Sequence, residues 1–281
     1  MTMTATFDLS TPHASRGASF RLFTLNTWGF KWPLARDRKR RFQRIASHLA
    51  EQDYDVVALQ EMWGGAREAL GHTGLEWAGD EARHSPRLAM EQSGLGFKVK
   101  GGLHRGARAV RELFRSFTHQ RGWDRVKDKG FMAIEVPVGD KRVTVVNTHL
   151  QAELPHAKVR RSQLDEILEA VEKVETPVVL CGDFNLFDGS AEDRAGHAAL
   201  ERHGFRDASL LIDRPEATYL KKNPYVGGRD DHRFDRIYLR DGGPDQSGRR
   251  TRLAASSVEV IVDHAQPMSD HEAVTARITL Y

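Results

Sequence analysis

The 281-residue sequence contains a single cysteine, Cys181, so no internal disulfide can form. It has no uncharged apolar run near the roughly 20 residues that a membrane-crossing helix needs. Its N-terminus lacks the basic stretch followed by an apolar stretch that marks a secretory signal, so we expect a cytoplasmic protein. The net charge is only +3 with histidine neutral, far from the strongly basic composition of a protein that coats DNA.

The composition is typical of a globular α/β protein, since 40% of the residues are apolar and 29% are charged. Residues 1–19 are mostly small and polar, and we interpret them as a flexible leader before a single catalytic domain that spans residues 20–281. Helical periodicity is present in residues 37–52 and 164–174. Short apolar runs predict strands at residues 20–26, 55–60, 131–138, 142–148, 177–181, 258–262 and 273–280.

A weak internal duplication relates the two halves of the sequence. The motif NTW (26–28), a helical segment and the strand VVALQ before Glu61 match NTH (147–149), a second helical segment and the strand VVLCG before Asp183. Each half therefore places polar residues at the end of one strand and a carboxylate at the end of the next. The pattern predicts two sheets packed face to face with helices outside, and an edge that collects polar groups from both sheets.

Eight polar residues at the ends of predicted strands form the candidate site. They are Asn26, Glu61, His149, Asp183, Asn185, Asp235, Asp270 and His271. Oxygen-bearing side chains dominate this set, which favours Mg²⁺ or Mn²⁺ over a structural zinc ion. A single acid at a strand end is more often a turn former or a helix cap. The joint occurrence of all eight, in order, is what favours a catalytic site.

The motifs that carry these residues resemble those of the endonuclease/exonuclease/phosphatase superfamily over about residues 20–281. These motifs are LNTW (25–28), LQE (59–61), NTHL (147–150), GDFN (182–185), RFDRIYL (233–239) and SDHEAV (269–274). The details closest to the neutral sphingomyelinase branch are EMWG (61–64), SGL (93–95), KGF (129–131) and THLQAE (148–153). The resemblance implies a four-layered α/β sandwich, in which two packed mixed sheets are flanked by helices.

The resemblance further implies a divalent metal ion, Mg²⁺ with Mn²⁺ as an alternative, in an enzyme that hydrolyses phosphodiesters. Glu61 is expected to hold this ion, and Asn26 and Asp270 are expected to complete or support its coordination. A metal ion in this position polarises the phosphoryl oxygen and stabilises the leaving oxygen, which matters because a phosphodiester anion repels nucleophiles.

The other five residues are expected to act on the water and the phosphate. By the same resemblance, Asp183 and Asn185 position the attacking water and the phosphate, and His271 is the general base. Asp235 is expected to orient His271, and His149 is expected to contact the phosphoryl oxygen or to assist the leaving group. Histidine suits proton transfer because its ordinary pKa of about 6.5 lies close to neutral pH.

The sequence leaves the phosphodiester substrate open between a phospholipid headgroup and a nucleic acid. The lipid interpretation, which includes peripheral contact with a membrane, rests on the branch resemblance and on aromatic residues that either line the site or pack in the core. These residues are Trp28, Phe30, Trp32, Trp63, Phe117 and Trp123. The nucleic-acid interpretation, a Mg²⁺-dependent endonuclease or exonuclease, rests on the arginine bias and on the basic run 36–41. Such exposed basic runs are more often simply solvated surface.

Two further features leave alternatives open. The basic segment 98–129 is placed either as an insertion that contacts substrate or as a solvated charged helix. Arg236 follows Asp235 where the family often has an aromatic residue or histidine, so we do not expect the family's substrate contacts to carry over to that loop. A third hypothesis is a non-catalytic scaffold that binds phosphate. The sequence points to no protein partner.

Overall fold

The computed structural model describes residues 17–78, 93–104 and 108–281. Most of the expected leader, residues 1–19, lies outside the described residues, and the first strand already begins at Ala18. Among the residues that the structure describes, none of the helices combines the length and the apolar composition that crossing a bilayer requires.

The described residues form two mixed sheets of six strands each. The strands are β1 (Ala18–Asn26), β2 (Val56–Gln60), β3 (Leu75–Ala78), β4 (Gly96–Lys100), β5 (Arg108–Ser116), β6 (Gly130–Val138), β7 (Lys141–His149), β8 (Val178–Asp183), β9 (Arg206–Asp207), β10 (Asp235–Arg240), β11 (Leu253–Ile261) and β12 (Ala273–Leu280). The α-helices are α1 (Arg38–Glu51), α2 (Ala66–Ala69), α3 (Gly101–His104), α4 (Asp124–Lys127), α5 (Ala157–Glu172), α6 (Ala191–Arg202) and α7 (Ala208–Leu211).

Both sheets are built around a central parallel pair of strands with antiparallel neighbours. The first sheet has the order β11-β12-β1-β2-β4-β3, and β1 runs parallel to β2 with Asn26 opposite Gln60. The second has the order β5-β6-β7-β8-β10-β9, and β7 runs parallel to β8 with Asn147 opposite Cys181. The two central pairs are the segments that repeat in the sequence, so the structure agrees with the internal duplication.

The two sheets pack face to face, and each carries helices on its outer face. The apolar core between them takes side chains from both, such as Leu22 and Val56 from the first sheet and Val145 and Ile237 from the second. Helix α1 packs on the outside of the first sheet, and α5 and α6 pack on the outside of the second. A large apolar side chain of this core stabilises the fold by roughly 1.5–3 kcal/mol when it is fully buried. The four-layered α/β sandwich expected from the sequence is confirmed.

Buried polar side chains join the two sheets near their site-bearing edge. Gln60 Nε2 donates to Asn147 Oδ1 at 2.7 Å, and Asn26 Nδ2 donates to Asp183 Oδ2 at 2.9 Å. Asn147 Nδ2 donates in turn to the carbonyl oxygen of Leu59 at 2.9 Å. A buried polar group that loses its partner costs about 1–3 kcal/mol, so these bonds favour one relative position of the sheets.

Two charged segments differ from simple solvated helices. Residues 108–116 form strand β5, which pairs antiparallel with β6 at the edge of the second sheet, so the charged helix considered for this segment is wrong. Charged residues are common on such edge strands because they discourage pairing with other chains. Arg41, at the end of the basic run 36–41, is fully buried, and its guanidinium donates to the carbonyl oxygens of Thr27 and Trp28 at 2.7 and 2.8 Å.

Candidate active site

All eight residues singled out in the sequence lie at one edge of the sandwich, where strands of both sheets end. Three are the last residues of β1, β7 and β8, one is the first residue of β10, and the others lie in the adjoining connections. Seven of them line a single cavity of about 280 Å³. The eighth, Asp235, lies behind His271 and is bonded to it. The structure therefore brings the predicted set together.

The backbone at two of these residues is left-handed. Glu61 has φ 53° and Asn185 has φ 49°, a conformation that costs a residue other than glycine about 1–2 kcal/mol. Hydrogen bonds hold it: the carbonyl oxygen of Glu61 accepts from the N–H of Gly29 at 2.9 Å, and Asn185 N–H donates to Asp183 Oδ1 at 3.0 Å. A Cβ atom on Gly29 would lie 2.2 Å from the Glu61 carbonyl oxygen, so only glycine permits this approach.

His271 and Asp235 form the buried carboxylate–imidazole pair that the sequence predicts. The Nδ1 atom of His271 lies 2.8 Å from Asp235 Oδ2, and Thr218 Oγ1 donates to the same oxygen at 2.7 Å. Burial alone would lower the pKa of His271, but the carboxylates of Asp235 and Asp183 outweigh burial and raise this pKa well above 6.5. With Nδ1 engaged, Nε2 is the atom that faces the cavity, 3.9 Å from Asp183 Oδ2.

His149 is buried between two carboxylates. Its Nε2 atom lies 3.3 Å from Asp183 Oδ2 and 3.9 Å from Glu61 Oε1. Burial, together with the positive charges of Lys129 and Lys127, lowers the pKa of His149 well below 6.5. The surroundings therefore favour the uncharged form of His149. The carboxylates around His271 instead stabilise the charged form that its imidazole takes once it has accepted a proton.

Two lysines, which were not among the predicted site residues, neutralise part of the negative charge. Lys127 Nζ lies 3.8 Å from Glu61 Oε1 and 3.1 Å from Asp124 Oδ1, and Lys127 lines the cavity. Lys129 is fully buried behind it, with Nζ 2.9 Å from Asp124 Oδ2 and donating to the Leu150 carbonyl oxygen at 2.7 Å. Lysines in a charge-rich segment are usually expected to be exposed to solvent. Only the motif KGF, which resembles the sphingomyelinase branch, indicated a special role for Lys129.

The donor set fits a hard divalent cation. Burial raises the pKa of Glu61 above its ordinary value, although Lys127 lies close, and burial raises the pKa of Asp270 to about 6. Burial disfavours the charged form of both carboxylates, and a bound cation would offset that cost. The carboxylate and amide oxygens of Glu61, Asp270 and Asn26 are ligands that Mg²⁺ and Mn²⁺ prefer.

A second grouping of possible ligands overlaps the histidine pair. Ligand atoms of Asp183, Asp235 and His271 lie within 4.8 Å of one another, and Asp235 Oδ1 is buried without a hydrogen-bond partner. The hydrogen bond between His271 and Asp235 already uses one atom of each. Asp235 is thus already engaged as the hydrogen-bond partner of His271, and the placement of the ion on Glu61, which the family resemblance implies, stays a prediction.

The remaining wall of the cavity is aromatic and basic, and most of it was not predicted. Tyr219 and Phe234 pack on the imidazole of His271 with ring centroids 5.1 and 6.2 Å away. Arg229 contributes a positive charge, and Trp28 and Phe30 extend the wall toward the outside. Arg236, by contrast, is buried outside this cavity and binds Asp188, with Nη2 2.6 Å from Oδ1. The departure from the family pattern at Arg236 therefore does not change the lining of the cavity.

The two-sheet fold and the clustered polar residues match a known protein family. A family model described as "Endonuclease/Exonuclease/phosphatase family" matches residues 23–271, and the chain therefore belongs to that family. The family resemblance seen in the motifs is thus confirmed over most of the chain.

Curated relatives and solved structures agree with this assignment. The chain is 25% identical over 280 residues to the Drosophila melanogaster protein named "Putative neutral sphingomyelinase", covering 92% of this chain and 60% of that protein. It is 24% identical over 282 residues to human "Sphingomyelin phosphodiesterase 2", covering 92% of this chain and 64% of that protein. The chain thus spans less than two thirds of the length of these relatives.

Two solved structures show the same fold. Sphingomyelinase C from Streptomyces griseocarneus superposes with a TM-score of 0.67 at 22% identity, over 92% of this chain and 99% of that chain. D. rerio TDP2 complexed with single strand DNA product superposes with a TM-score of 0.70 at 19% identity, over 93% and 99%. One of these structures is named as a sphingomyelinase and the other is a complex with DNA, so the fold alone does not identify the substrate.

Proposed function

We propose that this protein hydrolyses the phosphodiester bond of a sphingomyelin-type phospholipid on the headgroup side, with Mg²⁺ or Mn²⁺ as its metal ion. The observation that carries the reaction is the hydrogen-bonded pair of His271 and Asp235, which faces Asp183 and Glu61 across one cavity. The lipid substrate is supported by the curated relatives, which carry sphingomyelinase names and match 92% of this chain.

The metal ion would be held by Glu61 with Asn26 and Asp270. When bound, it supplies Lewis acidity to the phosphoryl oxygen and stabilises negative charge on the leaving oxygen. Lys127 Nζ, 3.8 Å from Glu61 Oε1, adds positive charge on the same side of the cavity, where the phosphate would lie.

His271 Nε2 takes the proton from the attacking water as the new oxygen–phosphorus bond forms. The bond from phosphorus to the ceramide oxygen breaks, and this oxygen takes up a proton that solvent supplies and leaves as a hydroxyl group. Asp235 holds the imidazole through Nδ1 and stabilises its charged form after proton transfer. Asp183 and Asn185 orient the water and the phosphate. His149 contacts a phosphoryl oxygen or the leaving oxygen, because it is neutral and lies beside Asp183 and Glu61.

Hydrolysis of a nucleic acid is the second candidate. Its support is the row of positive charges from Lys127 and Arg229 in the cavity wall, continued by Arg121 in the adjoining groove, which suits a polyanion. A non-catalytic scaffold is the weakest candidate, since every predicted acid, base and ligand position holds a competent residue.

A substrate panel tests these candidates. The purified protein is incubated with Mg²⁺ and, in parallel, with sphingomyelin vesicles, plasmid DNA and DNA that contains an abasic site. We expect phosphocholine release that stops with EDTA and in His271→Ala but continues in His264→Ala, which alters an exposed histidine. Cleavage of DNA without hydrolysis of sphingomyelin would refute the proposed lipid substrate but would leave the proposed catalytic site unchanged. No turnover of any substrate, without Mg²⁺-dependent stabilisation, would refute an enzymatic role.

A further inference from the structure

Large apolar side chains are unusually exposed on three loops beside the cavity. Trp32 and Trp123 are 82% and 80% exposed, the highest values among the described large apolar residues. Leu34 is 66% exposed and Leu154 is 54% exposed. Single exposed apolar residues need no explanation, but several together indicate an interaction surface. We call these four residues the apolar rim.

The apolar rim borders the entrance to the active site. A groove of about 470 Å³ is lined by Leu34 from the loop after β1 and by Trp123 from the loop before α4. Trp28, Phe30 and Lys127 line both this groove and the catalytic cavity. Trp32 stands between Phe30 and Leu34 in the chain, and Leu154 directly follows Glu153; Phe30, Leu34 and Glu153 all line the groove. A partner that covers the apolar rim would therefore lie over the cavity.

The apolar rim is accompanied by positive charge. Arg121 and Arg229 line the groove and are exposed. Within the described part of the chain, neither forms an ion pair with a carboxylate, whereas Lys127 is engaged with Asp124 and Glu61. The surface beside the cavity thus combines exposed apolar side chains with two guanidinium groups that form no ion pair among the described residues, although Arg229 donates a hydrogen bond to the Tyr219 hydroxyl at 3.4 Å.

We infer that the apolar rim seats the open cavity on a phospholipid bilayer, with Trp32 and Trp123 among the headgroups and Arg121 and Arg229 on lipid phosphates. A bilayer surface presents phosphates above an apolar layer, and tryptophan is enriched at this boundary because its ring is apolar and its N–H is polar. The exposed Leu34 and Leu154 favour lipid over nucleic acid, because bases stack on aromatic rings and gain little from aliphatic tips. This inference rests on the proposed lipid substrate and names how the protein reaches it.

The experiment compares Trp32→Ala/Trp123→Ala with Leu210→Ala/Leu211→Ala. The control pair is also exposed, at 58% and 48%, but lies on α7, outside the groove. Binding is measured by co-sedimentation with vesicles of phosphatidylcholine and sphingomyelin in EDTA, so that no turnover is required. We expect the tryptophan variant to bind about tenfold or more weakly, because two large apolar side chains leave the interface. The control variant should bind like the unaltered protein.

Two readouts separate this surface from the catalytic site. Turnover of bis(p-nitrophenyl) phosphate, a small soluble phosphodiester, should be the same in both variants and in the unaltered protein, while turnover of vesicle sphingomyelin should fall with binding. Equal vesicle binding by the two variants, or no vesicle binding by the unaltered protein, would overturn the inference. Loss of single-stranded DNA binding without loss of vesicle binding in the tryptophan variant would assign the surface to nucleic acid and overturn it too. Rim-dependent vesicle binding without sphingomyelin hydrolysis would support the surface and refute the proposed substrate.

Discussion

Replacing Asp235 with asparagine tests the partner of the proposed base without removing the base. Asp235 is 2% exposed, and its Oδ2 atom lies 2.8 Å from His271 Nδ1 and accepts from Thr218 Oγ1 at 2.7 Å. The amide of asparagine has the same shape, so the fold should be kept. What is lost is the negative charge that stabilises His271 once it has taken a proton from water.

The structure gives the size of this effect. Unit charges about 4 Å apart attract by about 4 kcal/mol at an effective dielectric constant of about 20. If that attraction acts only after proton transfer, its loss slows the chemical step by about a thousandfold, since each 1.36 kcal/mol is about tenfold in rate. We therefore expect kcat of Asp235→Asn to fall by about 10²–10⁴, with KM changed little.

The assay is steady-state turnover of the substrate that the panel identifies, with Asp188→Asn as the matched control. Asp188 is an exposed carboxylate that binds Arg236 outside the catalytic cavity, so the control should keep normal turnover. Thermal unfolding of both variants shows whether each is folded. A folded Asp235→Asn protein with kcat near that of the unaltered protein would refute the role of the His271–Asp235 pair.

Three further predictions test the surroundings of the site and the interior. Thr218→Val removes the hydroxyl that donates to Asp235, so kcat should fall by about tenfold for a charge-assisted hydrogen bond worth about 1.5 kcal/mol, as measured by steady-state turnover. Mg²⁺ at about a hundred times its Kd should stabilise the protein by about 2.7 kcal/mol in thermal unfolding, and Glu61→Gln should abolish this gain. Burial and the neighbouring Arg67 lower the pKa of Lys98 to about 8, against an ordinary value of 10.5. The unfolded chain then binds more protons than the folded one, so stability relative to Lys98→Met should rise by up to about 3 kcal/mol between about pH 8 and pH 10 in urea unfolding.

Each of these has its own control. Thr218→Ser keeps the hydroxyl and should keep most of the turnover, so equal losses in the serine and valine variants would contradict the hydrogen-bond explanation. Mg²⁺ stabilisation that survives in Glu61→Gln would move the ion to other ligands, such as the grouping around Asp183. For Lys98, a difference in stability that stays constant across the alkaline range would show that its pKa is not lowered by folding.

The fold could be predicted where strands are buried on both faces. The runs before Glu61 and Asp183 are continuous and apolar because β2 and β8 lie in the middle of their sheets, and both were found within about two residues. Strand β5 was missed because an edge strand carries charged residues and offers no apolar run. Strands β3 and β9 were missed because they have only four and two residues.

The site was predictable as a set of residues but not as an environment. Glu61 and His271 stand at strand ends, and parallel strands at the centre of both sheets bring such ends to the same edge. Lys127 and Thr218 were missed because their importance depends on which carboxylate they meet, 3.8 Å from Glu61 in one case and 2.7 Å from Asp235 in the other. A local sequence pattern does not reveal contacts between residues that are far apart in the chain. The roles given to individual residues stay predictions until the variants are measured.

The division of the site between the two sheets ties catalysis to the molecule's apolar interior. Glu61 and His271 are carried by the first sheet, whereas Asp183 and Asp235 are carried by the second. The packed side chains between the sheets therefore set the distance from His271 to its partner Asp235 and from Glu61 to Asp183. A shift of one sheet by a fraction of an ångström would misalign these groups while every strand kept its pairing. Mutations deep in the core, far from any substrate atom, can therefore reduce turnover in a protein that still appears fully folded.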